Sequence, residues 1–150
     1  MDKKYTTASY GQTQKLGEKF AKEIVKNGPQ NAAIVLCLNG NLGGGKTTFL
    51  QGFANGLGIK EKILSPTFVI SKMFKITNSE FQNFYHIDCY RLKEAKDILE
   101  LDFKNIISNP KNIIAIEWPE KIKSVLPKEI ESIDFNYSNE GSQREIIFRK

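Results

Sequence analysis

A three-layer α/β domain, with a sheet parallel at its centre and antiparallel at its edge, is what three features of this 150-residue chain predict. Two short apolar runs, residues 32–38 and 113–116, are rich in branched side chains and lack polar alternation, as strands buried on both faces do. A glycine-rich turn follows the first run directly and leads into helix-compatible residues. Other stretches alternate apolar and polar residues in the manner of half-buried antiparallel strands. At this length one domain spanning residues 1–150 is expected, burying roughly 70% of the surface its unfolded chain exposes.

In chain order, Leu16, Phe20 and Ile24 recur at i, i+4 and i+8 with Val25 beside them. That spacing predicts an amphipathic helix over residues 13–26, stopped by Asn27, Gly28 and Pro29. The buried run 32–38 enters the glycine turn, and the helix after it extends to Leu57 with Gly58 as its cap. Over residues 68–76, Phe68, Ile70, Phe74 and Ile76 share one strand face, Lys72 being the exception. Thr77, Asn78 and Ser79 then turn the chain into a second strand over 81–88, which makes a β-hairpin. Residues 92–107 read as helical, with Ile98, Leu99 and Leu101 inside. Ile133, Phe135 and Tyr137, then Ile146 and Phe148, alternate as two strands joined across Asn139, Glu140 and Gly141.

Composition narrows the function classes. Hydrophobic residues make up 40% and aromatic residues 11%, which excludes a disordered chain. No apolar run approaches the ~18 residues of a membrane span, and the stretch MDKKYTTASYGQTQ has no secretory core, so a cytosolic protein without membrane contact is expected. Cys37 and Cys89 have no metal-ligand spacing and read as free thiols. The net charge of +5 is uneven: residues 1–75 hold 11 basic and 4 acidic side chains, residues 76–150 hold 11 and 13. Nineteen of the 22 basic residues are lysine, whereas planar base or phosphate recognition favours arginine. Charge alone therefore does not identify a nucleic-acid binder.

Residues 40–47 read GNLGGGKT and match G-x-x-x-x-G-K-[ST] in full. Gly43, Gly44 and Gly45 can take positive φ and let backbone N–H groups close on phosphate oxygens without Cβ interference. Lys46 reaches the β- and γ-phosphates, and the Thr47 hydroxyl suits Mg2+. The following helix adds its N-terminal dipole to the anion site. With a buried strand before it and a helix after it, this P-loop predicts a Mg-nucleotide site.

Phosphoryl transfer in such a fold needs a carboxylate near Mg2+ and a group that orients the attacking oxygen. Two strand ends qualify: Glu117 after Ile113-Ile114-Ala115-Ile116, and Asp88 after Phe84-Tyr85-His86-Ile87. Strand C-termini are where open α/β sheets bind ligands. His86 shares the strand face of Asp88 and reads as a structural, hydrogen-bonded histidine. Arg91 lies beside the same segment, within reach of a phosphate or a carboxylate. Trp118 is open between packing and a stacking platform. Ser65-Pro66-Thr67-Phe68 stands where P-loop proteins keep a γ-phosphate switch, and Thr67 offers it a hydroxyl and an N–H.

Taken together, GNLGGGKTTF, SPTF, YHIDCYRL and IEWPE followed by LP resemble, in that order, the bacterial TsaE (YjeE) proteins. The resemblance covers essentially the whole chain and implies a small P-loop ATPase needed to make threonylcarbamoyladenosine at position 37 of tRNA. It implies ATP and Mg2+ as ligands and a complex with TsaD, which carries the transferase site, and TsaB, tRNA being met through that complex. By the matching motifs, Leu42, Gly43, Gly44, Gly45, Lys46, Thr47 and Thr48 hold the nucleotide, and Thr47 and Glu117 hold Mg2+. Asp88 lies by the γ-phosphate, Thr67 is the switch contact, and Trp118 and Glu120 lie near the nucleotide or a partner. Three departures stand out: Asn41 where the family usually has an acid, Gly44 where alanine is common, and Ser142-Gln143-Arg144 where Gly-Arg is usual, with Arg144 assigned to the nucleotide. A small-molecule kinase of the same fold is the alternative, but it usually needs an arginine-bearing lid, and the three arginines are not clustered. The DxxG and NKxD elements of guanine-specific switches are absent.

Overall fold

The computed structural model describes residues 2–40, 45–63, 71–137 and 143–149. Seven strands form one sheet: β1 (Lys3–Thr7), β2 (Ile34–Asn39), β3 (Ser71–Lys75), β4 (Asn83–Asp88), β5 (Asn112–Glu117), β6 (Glu131–Tyr137) and β7 (Arg144–Arg149). Their spatial order is β1-β7-β6-β2-β5-β4-β3. The four central strands β6, β2, β5 and β4 run parallel. The outer pairs β1/β7, β6/β7 and β3/β4 are antiparallel. This is the mixed sheet expected, with β2 and β5 side by side at its centre because both are apolar on both faces.

Two helices cover one side of the sheet. Helix α1 (Tyr10–Asn27) starts three residues earlier than the apolar periodicity indicates, because Ser9 caps it: its hydroxyl accepts from the Gln12 N–H at 3.2 Å, while the Gln12 side chain accepts from the Ala8 N–H at 2.7 Å. Helix α2 (Lys46–Gly56) is the helix of the phosphate loop. The two cross at backbone contact, since a Cβ at Gly52 would run into the Gln14 carbonyl and one at Gly17 into the Phe49 carbonyl. Phe49, Phe53, Phe84, Phe135 and Ile113 fill the core beneath them. On the opposite side a second core gathers Val35, Cys37, Ile87, Ile114 and Ile116 under short helices.

Those short helices correct the sequence reading of 92–107. The segment is a 3-10 helix (Ala95–Leu101) followed by helix α3 (Phe103–Ser108), broken at Asp102, which sits in the left-handed region at φ 62°. Residues 92–94 precede both. A further 3-10 helix spans Pro119–Val125. Strand β1 was not anticipated either. It is an edge strand, its sequence KKYTT is polar, and only Thr7 is buried, so no apolar alternation announces it. The hairpin of β3 and β4 forms as expected and turns at Asn78 (φ 58°), but Phe68 and Ile70 of the predicted strand lie outside the described residues. So do Asn139, Glu140 and Gly141 of the predicted β6–β7 turn. No helix among the described residues is long and apolar enough to cross a membrane.

Candidate nucleotide site

Strand β2 ends at Asn39, whose amide donates to Ser132 Oγ (2.8 Å) and Asp134 Oδ1 (3.0 Å) on β6, fixing where the chain leaves the sheet. Of the phosphate loop that follows, Asn41, Leu42, Gly43 and Gly44 lie outside the described residues. Gly45 closes the loop as the N-terminal cap of α2 at φ 100°, and a Cβ there would stand 2.9 Å from Arg144 Cδ. Glycine is thus required twice, for the backbone angle and for the arginine packed on it.

Lys46 opens α2 and is only 4% exposed. Its Nζ donates to the Gly40 carbonyl at 2.8 Å and lies 4.6 Å from the centre of the Trp118 ring. Among the described residues no carboxylate forms an ion pair with it. A buried ammonium held by a carbonyl and a ring face, at the positive end of a helix, is a charge arranged for an anion that comes from outside. Thr47 and Thr48 follow in the same first turn, half-buried.

The carboxylates meet this cation from the neighbouring strands. Parallel pairing sets Asp88 beside Glu117 at the C-terminal ends of β4 and β5. Both alternate in phase with Phe84, Ile113 and Ala115, which belong to the core under α2, so they face the phosphate-loop helix. Glu117 is buried, and its Oε2 lies 2.6 Å from Nε2 of the equally buried His86. Asp88 Oδ1 accepts from the Tyr90 N–H at 3.0 Å. Burial raises the Asp88 carboxyl above its ordinary 3.8, and the charge of Glu117 adds to that against the lowering effects of the Tyr90 N–H, His86 and Lys46.

That shift has a consequence for stability. A raised carboxyl pKa means that ionised Asp88 opposes folding, a penalty absent below 3.8 and complete once pH exceeds the folded pKa. Asp88→Asn is therefore expected to raise the thermal midpoint of the free protein at neutral pH, with the gain vanishing below pH 3.8. Melting curves at the two pH values check it; an equal or lower midpoint at neutral pH contradicts the electrostatics.

Trp118, directly after Glu117, adopts φ 58° and ψ 51°, which costs an L-residue about 1–2 kcal/mol. The turn brings the indole back over Lys46 and against Tyr90, ring centres 5.0 Å apart. On the other side of β2, the Arg144 guanidinium lies 4.8 Å from the Tyr10 ring and 5.4 Å from the Tyr137 ring. Its Nε is buried and makes no hydrogen bond among the described residues.

The described donors fit a Mg-nucleotide. They offer an ammonium without a paired acid, two hydroxyls at a helix start and two adjacent carboxylates. No group of three or more His, Cys, Asp or Glu among the described residues could hold a metal by itself. That suits Mg2+, which protein sites ordinarily hold through one or two carboxylates together with phosphate oxygens and water.

Comparison with known proteins gives the family. The family model described as "Threonylcarbamoyl adenosine biosynthesis protein TsaE" matches residues 7–146. The chain belongs to the TsaE family. Among relatives, it is 33% identical over 135 residues to the tRNA threonylcarbamoyladenosine biosynthesis protein TsaE of Haemophilus influenzae, covering 89% of this chain and 81% of that one. To the TsaE of Bacillus subtilis it is 39% identical over 114 residues, covering 76% and 68%. The crystal structure of Bacillus subtilis YdiB superposes with a TM-score of 0.72 at 30% identity, over 99% of this chain and 84% of that one. The TsaE fold here is thus a P-loop fold with a mixed sheet.

Within this TsaE chain the site residues read from sequence divide into groups. Lys46, Gly45, Thr47, Asp88, Glu117 and Trp118 lie around the entrance of α2. Arg144 reaches the same place from β7. Glu120 is exposed on the first turn of the 3-10 helix that follows Trp118, and Arg91 is exposed after β4. Leu42, Gly43, Gly44 and the switch candidate Thr67 lie outside the described residues. Sequence reading did not find the partnership of His86 with Glu117, nor Tyr10 and Tyr137 beside Arg144. Burial pushes both Cys37 and Cys89 up to about 12, so neither is a thiolate at neutral pH.

Proposed function

We propose that this TsaE-family protein binds Mg-ATP at the entrance of α2 and hydrolyses it in support of tRNA threonylcarbamoyladenosine synthesis. The observation that carries the reading is the buried Lys46 at the helix N-terminus, in no ion pair among the described residues, near two carboxylates at adjacent strand ends. Lys46 exchanges the Gly40 carbonyl for phosphate oxygens. Thr47 and Glu117 hold Mg2+, which supplies charge neutralisation at the terminal phosphates when bound. Asp88 orients the attacking water, and Thr67 serves as the switch contact. Arg144, whose Nε has no partner among the described residues, contacts the nucleotide from the side of β2 away from the carboxylates, and Trp118 and Glu120 flank the opposite side.

Hydrolysis by the isolated chain is expected to be slow. Partners TsaD and TsaB complete the site, and tRNA is reached through them. The test measures ATP hydrolysis by the purified chain alone and with TsaB and TsaD added. Stimulation by the partners supports the reading. Equal rates with and without them would remove the partner-dependent part, and absence of ATP binding would remove the whole.

A further inference from the structure

We infer that His86 is the positioning residue of the metal-holding carboxylate, so that it sets how strongly Mg2+ tightens ATP binding. The inference rests on the reading of Glu117 as the Mg2+ carboxylate and gives a role at that site to His86, which the sequence presents only as a structural, hydrogen-bonded histidine.

Three observations carry it. First, Glu117 Oε2 is 2.6 Å from His86 Nε2, with both side chains buried, at 6% and 1% exposure. A carboxylate only accepts, so the imidazole donates through Nε2–H and holds one oxygen of Glu117 in a set direction. Second, β4/β5 register pairs His86 with Ala115 and Asp88 with Glu117. With only a methyl opposite it, the imidazole has room to lean along the strands and reach the next residue on the Ala115 face, which is Glu117. A larger side chain at position 115 would fill that space. Third, the charge of Glu117 is buried where a cation is to arrive. Buried carboxylates need a hydrogen-bond donor, and the Lys46 ammonium is occupied with Gly40 and Trp118. His86 is the donor observed.

Without that donor the Glu117 carboxylate loses its set direction and holds Mg2+ less well. Lys46 and the α2 N-terminus, which bind phosphate, are untouched. The role therefore separates into two measurable quantities, ATP affinity in EDTA and the gain in affinity when Mg2+ is supplied.

The experiment is calorimetric titration of the full chain with ATP, in EDTA and in saturating Mg2+, for wild type, His86→Leu, His86→Gln and Glu117→Gln. His86→Leu is expected to bind ATP in EDTA as wild type does and to lose about 10-fold or more of the Mg2+ gain, the usual effect of removing a partner of a metal ligand. His86→Gln, whose amide can donate from nearly the position of Nε2, is expected to restore most of it. An unchanged Mg2+ gain in His86→Leu overturns the inference, as does a loss that His86→Gln fails to restore.

His86→Leu leaves a buried carboxylate without a donor, so its melting curve is recorded, and the double variant His86→Leu/Glu117→Gln supplies a neutral background. In that background the leucine should remove no further Mg2+ gain beyond Glu117→Gln alone; a further loss overturns the inference. Failure of the underlying reading looks different. Wild type then binds no ATP, or Glu117→Gln keeps the full Mg2+ gain.

Discussion

Lys46→Ala is expected to abolish measurable ATP binding while leaving the protein folded. Lys46 is 4% exposed and its ammonium is fixed by Gly40 and the Trp118 face, so much of its desolvation and ordering is already met in the free protein. A phosphate that displaces the Gly40 carbonyl gains a charge-assisted contact in a medium far less screening than water. Removing one partner of such a buried charged pair costs about 3–5 kcal/mol, which is roughly 10²- to 5 × 10³-fold in Kd. The folded state should not suffer, because the variant deletes a buried charge that no acid pairs among the described residues. Calorimetric titration and a melting curve check both halves. Unchanged ATP affinity would remove the site from α2 altogether, and a collapsed melting curve would show that Lys46 works for the fold.

Glu117→Gln is expected to do something different: ATP binding survives in EDTA, the Mg2+ gain falls to the part that Thr47 and the phosphates keep, and hydrolysis with TsaB and TsaD falls by roughly 10²-fold or more. The amide still accepts from His86 through its oxygen, so the strand end should keep its shape. What it loses is the negative charge that a divalent cation requires from its oxygen donors. A variant that hydrolyses ATP at the wild-type rate in the assembled complex would show that the metal is held elsewhere. Asp88→Asn offers the contrast, with lowered hydrolysis alongside the raised thermal midpoint expected at neutral pH. A residue that costs stability and supports turnover is the usual compromise of a working site.

Much of the architecture was legible because it rests on residue types at short spacing. Strands β2 and β5 announced themselves through unbroken apolar runs, and the phosphate loop through a motif with a physical reason for each position. Elements governed by less local effects were hidden. Strand β1 is polar and joins the sheet only because β7 offers it an edge. The break at Asp102 interrupts a stretch whose apolar residues suit a continuous helix, and nothing in their spacing marks a left-handed residue. Ser9 was missed as a cap because helix starts are set by one hydroxyl and one N–H, upstream of any periodicity.

The same division runs through the site. Sequence by itself determined which chemical groups the site offers: a glycine-rich P-loop motif, a lysine and two hydroxyls directly after it, and two carboxylates, each closing a strand. Those follow from covalent neighbours, whose geometry is dictated locally. Tertiary structure decided the allocation. His86 and Glu117 are 31 positions apart and meet only because β4 and β5 pair in that register. Trp118 reaches Lys46 through a left-handed turn, and Arg144 finds Gly45 only because β7 lies on the far side of β6 with its start beside the loop's exit. Hydrogen bonds and packing across a sheet depend on register and strand order, and both are properties of the whole folded chain.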